Sequence, residues 1–79
     1  MNWQEYIEQR PEVMLGKPVF MGTRITVELV LERLGDGWSV TELLEAYPDL
    51  SAEHIRAAQS YAACYLAREE AVFLTEGTR

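Results

Sequence analysis

The stretch SVTELLEAYPDLSAEHIR, residues 39–56, carries one complete helix signature and the start of another. Ser39-Val40-Thr41-Glu42 is a capping-box sequence: the serine hydroxyl accepts from the Glu42 N–H, and the glutamate reaches back to the serine N–H. Val40, Leu43, Leu44 and Tyr47 then recur at helical spacing. Pro48 breaks this helix and pushes Tyr47, the residue before it, out of the α conformation. Ser51 opens the next helix as its N-cap, with Glu53 in the first turn. Two capped amphipathic helices joined by the short turn Tyr47–Ser51 have the form of a helix-turn-helix. A plain helical hairpin has the same pattern.

Before this unit, Thr26 to about Gly35 reads as a first helix. Val27, Val30, Leu31 and Leu34 form its stripe, Thr26 is its N-cap, and Gly35-Asp36-Gly37 ends it. After it, the third helix is predicted over residues 51–70, roughly 30 Å long at the α-helical rise. Ile55, Ala58, Ala62 and Leu66 form one apolar stripe, and Ala57, Tyr61, Cys64 and Tyr65 extend it round the cylinder. That face is wider than two short helices and a hairpin can cover. The excess predicts a homodimer, with Tyr61, Tyr65 and Leu66 at the interface. Ala71–Leu74 continues the helix or forms a short strand, and Thr75–Arg79 is predicted to fray.

Toward the N-terminus, Val13-Met14-Leu15 and Val19-Phe20-Met21 flank Gly16-Lys17-Pro18 and predict a β-hairpin over residues 13–21. A lone two-stranded hairpin is marginal in water, so it must pack on the helices or on a second copy. Val19 and Phe20 therefore join the interface candidates. Ahead of the hairpin, Trp3, Tyr6 and Ile7 can share one face of a short helix, and an extended Tyr6–Glu8 fits as well. The predicted fold is mainly α: a three-helix helix-turn-helix bundle, homeodomain-like or winged-helix-like, behind a short N-terminal β-hairpin.

Length and composition agree with this. The 79 residues suit one domain, and 48% hydrophobic content suits a folded one. The single cysteine, Cys64, forms no internal disulfide, and no Cys/His set has metal-binding spacing. With no staple, self-association is the expected source of extra stability. No apolar run approaches the ~20 residues of a membrane helix. The N-terminus lacks the basic and apolar regions of a signal peptide, so the expected location is the cytoplasm.

The net charge of −6 argues against nonspecific nucleic-acid binding. Its distribution matters, however. Residues 10–24 hold Arg10, Lys17 and Arg24 against Glu12 alone, whereas residues 25–79 hold four arginines against ten carboxylates. Candidates for DNA contact are therefore Arg10, Lys17, Thr23 and Arg24 near the hairpin, and Arg56 on the third helix. An ion pair with Glu28 is the other reading of Arg24. Glu53 would repel phosphates.

Catalytic chemistry finds little support. His54 is the only histidine, so any acid–base or nucleophilic arrangement must use it. His54 and Cys64 lie about 15 Å apart along one helix and about 80° apart in azimuth. His54 reads as an exposed first-turn residue and Cys64 as a small core hydrophobe. Gly16-Lys17 and Gly22-Thr23-Arg24 lack the spacing of a phosphate loop. The expectation is a binding module with no catalytic residues, no metal and no cofactor.

Several segments, in order, resemble the domain-of-unknown-function 433 family. These are Gly16-Lys17-Pro18-Val19-Phe20-Met21-Gly22-Thr23-Arg24-Ile25, Val27-Glu28-Leu29-Val30-Leu31, Trp38-Ser39-Val40-Thr41-Glu42-Leu43-Leu44, Tyr47-Pro48 and Ile55-Arg56-Ala57-Ala58. The likeness spans about residues 6–66. It implies a winged or hairpin-extended helix-turn-helix, a bacterial or archaeal source and a dimer. It further implies an antitoxin-like protein that neutralises a PIN-like toxin and binds operator DNA. The family commonly has a lysine before Gly-Thr-Arg; this chain has Met21 there, one positive charge fewer. Two other functions fit the same residues: a DNA-binding regulator without a toxin, and an interaction module whose hairpin extends a partner's sheet.

Overall fold

A computed structural model describes residues 1–75, with side chains through Arg68. It is mainly helical: an antiparallel strand pair precedes three helices. The strands are β1 (Ile7–Glu8) and β2 (Val19–Phe20). The helices are α1 (Val27–Gly35), α2 (Val40–Ala46) and α3 (Ala52–Thr75).

The strand pair differs from the expected hairpin over residues 13–21. Ile7 pairs with Phe20 and Glu8 with Val19, so the partner of β2 lies on the N-terminal side of the expected turn. Val13-Met14-Leu15 is not a strand. Val13 is buried, and Met14–Gly16 forms a 3-10 turn. Two causes combine. Pro11 and Pro18 flank the segment and carry no N–H for a ladder. Ile7 and Glu8 already show the buried-then-polar alternation of a strand with one face on a core. Ahead of β1, Trp3–Glu5 is one 3-10 turn that stops short of Tyr6 and Ile7, so the shared helix face does not form; the extended reading holds for Ile7 and Glu8, while Tyr6 keeps an αR backbone.

Strand β2 is held from both sides. The Met21 N–H donates to the Tyr6 carbonyl at 2.8 Å, and on the other edge the Phe20 N–H donates to the Ile25 carbonyl at 3.0 Å. This central placement leaves Val19 and Phe20 fully buried. The core around Phe20 takes in Ile7, Val27, Val30, Leu43, Leu50, Ile55, Ala57 and Ala58, which joins the strands to all three helices. The small side chains of Ala57 and Ala58 let α3 approach closely.

The helix ends are set by local chemistry. The Thr26 hydroxyl accepts from the Leu29 N–H and caps α1. At the other end Gly37 takes φ +97°, and the Trp38 N–H donates to the Arg33 carbonyl at 3.0 Å. This is a Schellman closure, with the Arg33 guanidinium over the Trp38 ring at 5.4 Å from its centroid. Helix α2 has both bonds of its capping box, Ser39 N–H to Glu42 at 2.7 Å and Glu42 N–H to Ser39 at 3.1 Å. Helix α3 runs beyond the expected end near Glu70 to Thr75, so Ala71–Leu74 is helical; residues 76–79 lie outside the described ones. No helix among the described residues is long and apolar enough to cross a membrane.

Candidate functional site

The Gly-Thr-Arg segment is first of all a turn. Gly22 sits at φ +78°, where only glycine is unstrained, and its N–H donates to the Glu8 carboxylate at 3.1 Å. The Thr23 hydroxyl donates to the Phe20 carbonyl at 2.8 Å and accepts from the Ile25 N–H at 3.0 Å. Its one proton is thus committed inside the turn. Thr23, a candidate DNA contact, thus has a structural role in the turn that its sequence context did not announce.

The basic candidates fall into two groups. Lys17 and Arg24 line one cleft of about 340 Å³ together with Glu12, Met14 and Leu15. Arg10 lines an adjoining cleft of about 480 Å³ that also includes Leu15. Leu15 thus lines both clefts, one shared with Arg10 and the other with Lys17, Arg24 and Glu12. Lys17 pairs with Glu28 at 3.1 Å, and Arg10 lies 3.7 Å from Glu8. Glu28 is thus the partner of Lys17, not of Arg24, and Arg24 is exposed with no ion pair among the described residues. Arg56 is also exposed and unpaired there, but it lies on the second turn of α3 and lines neither cleft. The structure does not gather all the DNA candidates on one patch.

Leu15 itself was not singled out by sequence. It is 94% exposed, the most exposed large apolar side chain described. Its backbone is left-handed at φ +59°, between Met14 at +49° and Gly16 at +80°. A leucine pays roughly 1–2 kcal/mol for that conformation. The turn is held by Gln9, whose amide donates to the Gly16 carbonyl at 3.0 Å, and by buried Val13. Only the coincidence of exposure and positive φ marks this residue, and neither is readable from composition.

A second surface lies between α1 and α3. Gln9, Pro18, Leu31, Tyr61, Tyr65 and Leu66 line most of a groove of about 810 Å³, with Glu28 and Glu32 along the α1 side. Tyr65 and Leu66 are 54% and 61% exposed, while Tyr61 is partly buried with its ring edge-on to Trp3 at 4.9 Å. The structure thus brings Tyr61, Tyr65 and Leu66 together. Val19 and Phe20 correct the other half of the interface reading. At 0% exposure their side chains lie in the chain's own core, Phe20 against residues of all three helices, so neither is open to a partner.

The start of α3 departs from expectation as well. His54 is half-buried, not exposed. Its Nδ1 accepts from the Ser51 N–H at 3.0 Å, and its ring lies edge-on to Tyr6 and Phe20. Cys64 is exposed and is not a core residue. The Glu53 carboxyl is held below its ordinary value, first by its own backbone N–H and then by the Ser51 hydroxyl, with smaller help from Arg56 and His54 against desolvation. The helix end that would face DNA therefore presents an ionised carboxylate beside Arg56. Among the described residues no cluster of His, Cys, Asp and Glu could hold a metal ion.

Comparison with known proteins finds relatives in sequence and in fold. Residues 7–62 match the description "Protein of unknown function (DUF433)". Uncharacterized protein y4eO of Sinorhizobium fredii is 42% identical over 59 residues, covering 75% of this chain and 27% of that protein. The chain thus spans about a quarter of the curated relative's length. A crystal structure of a DUF433 member from Anabaena variabilis superposes with a TM-score of 0.76 at 32% identity, over 82% of this chain and 64% of the other. On sequence and on fold alike, the chain belongs to the DUF433 family.

Proposed function

We propose that the protein is a dimeric, antitoxin-like binding protein that neutralises a PIN-like toxin partner and binds operator DNA. The observation that carries this reading is the stretch Ala63–Arg68 of α3. From Ala63 to Arg68 every side chain is exposed, and Tyr65 and Leu66 are large and apolar. A chain of net charge −6 gains nothing in solubility from such a stretch. An exposed apolar face of this kind suits burial against another chain. Co-expression with the product of the neighbouring gene tests the reading. The expected result is a co-purifying complex and relief of that product's toxicity. Absence of a complex at micromolar concentration overturns it.

The second reading, a DNA-binding regulator without a toxin, draws on Arg24 and Arg56, both exposed and unpaired among the described residues. It predicts salt-sensitive binding to the protein's own promoter.

A further inference from the structure

Leu15 and the α1–α3 groove complement each other. The tip is an apolar side chain that shares its two clefts with Arg10, Lys17 and Arg24 and with one carboxylate, Glu12; the groove is apolar with Glu28 and Glu32 on its rim. We propose that Leu15 of one copy inserts into the α1–α3 groove of a second copy, against Leu31, Tyr65 and Leu66, and that the exchange is reciprocal.

Three observations carry this. First, nothing within the chain accounts for a leucine at position 15. Its backbone conformation favours glycine or asparagine, and at 94% exposure it contributes no burial. Burial on another surface supplies the missing reason. Second, the tip is preorganised. The Gln9 amide, the Lys17 N–H to Met14 carbonyl bond and buried Val13 hold it in place, so little order is lost on docking. Third, tip and groove adjoin. Gln9 lines both, and the Lys17–Glu28 pair joins the tip loop to the groove rim. A two-fold axis beside Gln9 therefore lets each copy give its tip and accept its neighbour's, the isologous arrangement that closes at two. Lys17 and Glu28 are already paired within each copy, so the charge left to meet across the contact is Arg24 beside the tip with Glu32 on the groove rim, whose side chain is 65% exposed and 3.9 Å from Arg33. At 100° per residue, Ala63, Cys64 and Ala67 lie on the far side of α3, free for another partner.

This inference rests on the dimer reading above, and the test separates the two. Sedimentation equilibrium of the parent, Leu15→Gly and Leu15→Asp, with circular dichroism to confirm folding, gives the dissociation constants. Leu15→Gly is expected to weaken the dimer at least tenfold and yet to melt at a higher temperature under dilution to monomer, because strain is relieved. Leu15→Asp, placed against Glu28 and Glu32, is expected to be monomeric. In a Cys64→Ala background, mixing Leu15→Cys with Leu66→Cys chains is expected to give the mixed disulfide. A monomeric parent overturns both the dimer and this inference. A parent dimer with an unchanged Leu15→Asp dimer, or cross-linking of Leu66→Cys to itself alone, overturns only this one.

Discussion

The Nδ1 atom of His54 accepts a hydrogen bond from the Ser51 N–H at 3.0 Å, and the Ser51 hydroxyl lies 2.9 Å from the same atom. The only histidine thus does for α3 what Glu42 does for α2, reaching back from the third helical position to the N-cap. Nδ1 is thus the ring nitrogen turned toward the N-cap of α3. The same ring contacts Tyr6 and Phe20, with centroids 5.3 and 5.5 Å away. It ties the start of α3 to both strands' neighbourhoods.

His54→Ala is therefore expected to destabilise the fold by about 2 kcal/mol, a lost cap plus a lost aromatic contact. His54→Glu restores the capping box without the ring and recovers roughly half. Urea unfolding of the three proteins checks this; equal midpoints for His54→Ala and the parent would show that the ring has no structural role.

Glu53 gives the fold a defined acid sensitivity. Its carboxyl titrates lower in the folded chain than its ordinary value of 4.5, so its contribution is present above that pH. The contribution fades as pH falls below 4.5 and through the lowered folded value. Glu53→Gln should be less stable than the parent at neutral pH, with the gap closing on acidification. A gap that stays constant down the acid range contradicts the lowered carboxyl.

Thr23→Val removes the donor to the Phe20 carbonyl and the acceptor for the Ile25 N–H while keeping the shape. A cost of about 1–3 kcal/mol is expected, since both partners are part-buried. Thr23→Ser, which retains both bonds, should stay close to the parent. Thermal melts distinguish this structural role from a DNA contact, which would leave stability untouched.

Arg24→Ala and Arg56→Ala bear on the nucleic-acid reading. If either side chain meets a phosphate, its removal lowers the salt slope of promoter binding by about one. Binding titrations across salt concentrations measure this directly. Unchanged slopes in both variants would remove DNA from the function and leave the protein-binding role.

Much of the fold was legible because its determinants are local. Ser39 with Glu42, Thr26 before its apolar stripe, and Gly37 after α1 act within one helical turn, so their order along the chain is enough. The interface reading divides on the same principle. Tyr61, Tyr65 and Leu66 share a helix face by spacing alone. Val19 and Phe20 looked equally apolar, but their exposure depended on which segments flanked β2.

The helix-and-turn reading with which residues 39–56 began was written in the sequence, since capping, periodicity and a chain-breaking proline act between neighbours. Tertiary structure decided what those neighbours could not: that β2 pairs with Ile7–Glu8 across a ten-residue loop, that His54 is a cap packed on Phe20, and that Leu15 stands strained and bare at the tip of its turn. Each depends on contacts between residues far apart in the chain. The net preference of many weak contacts settles such choices, and no single sequence position encodes it.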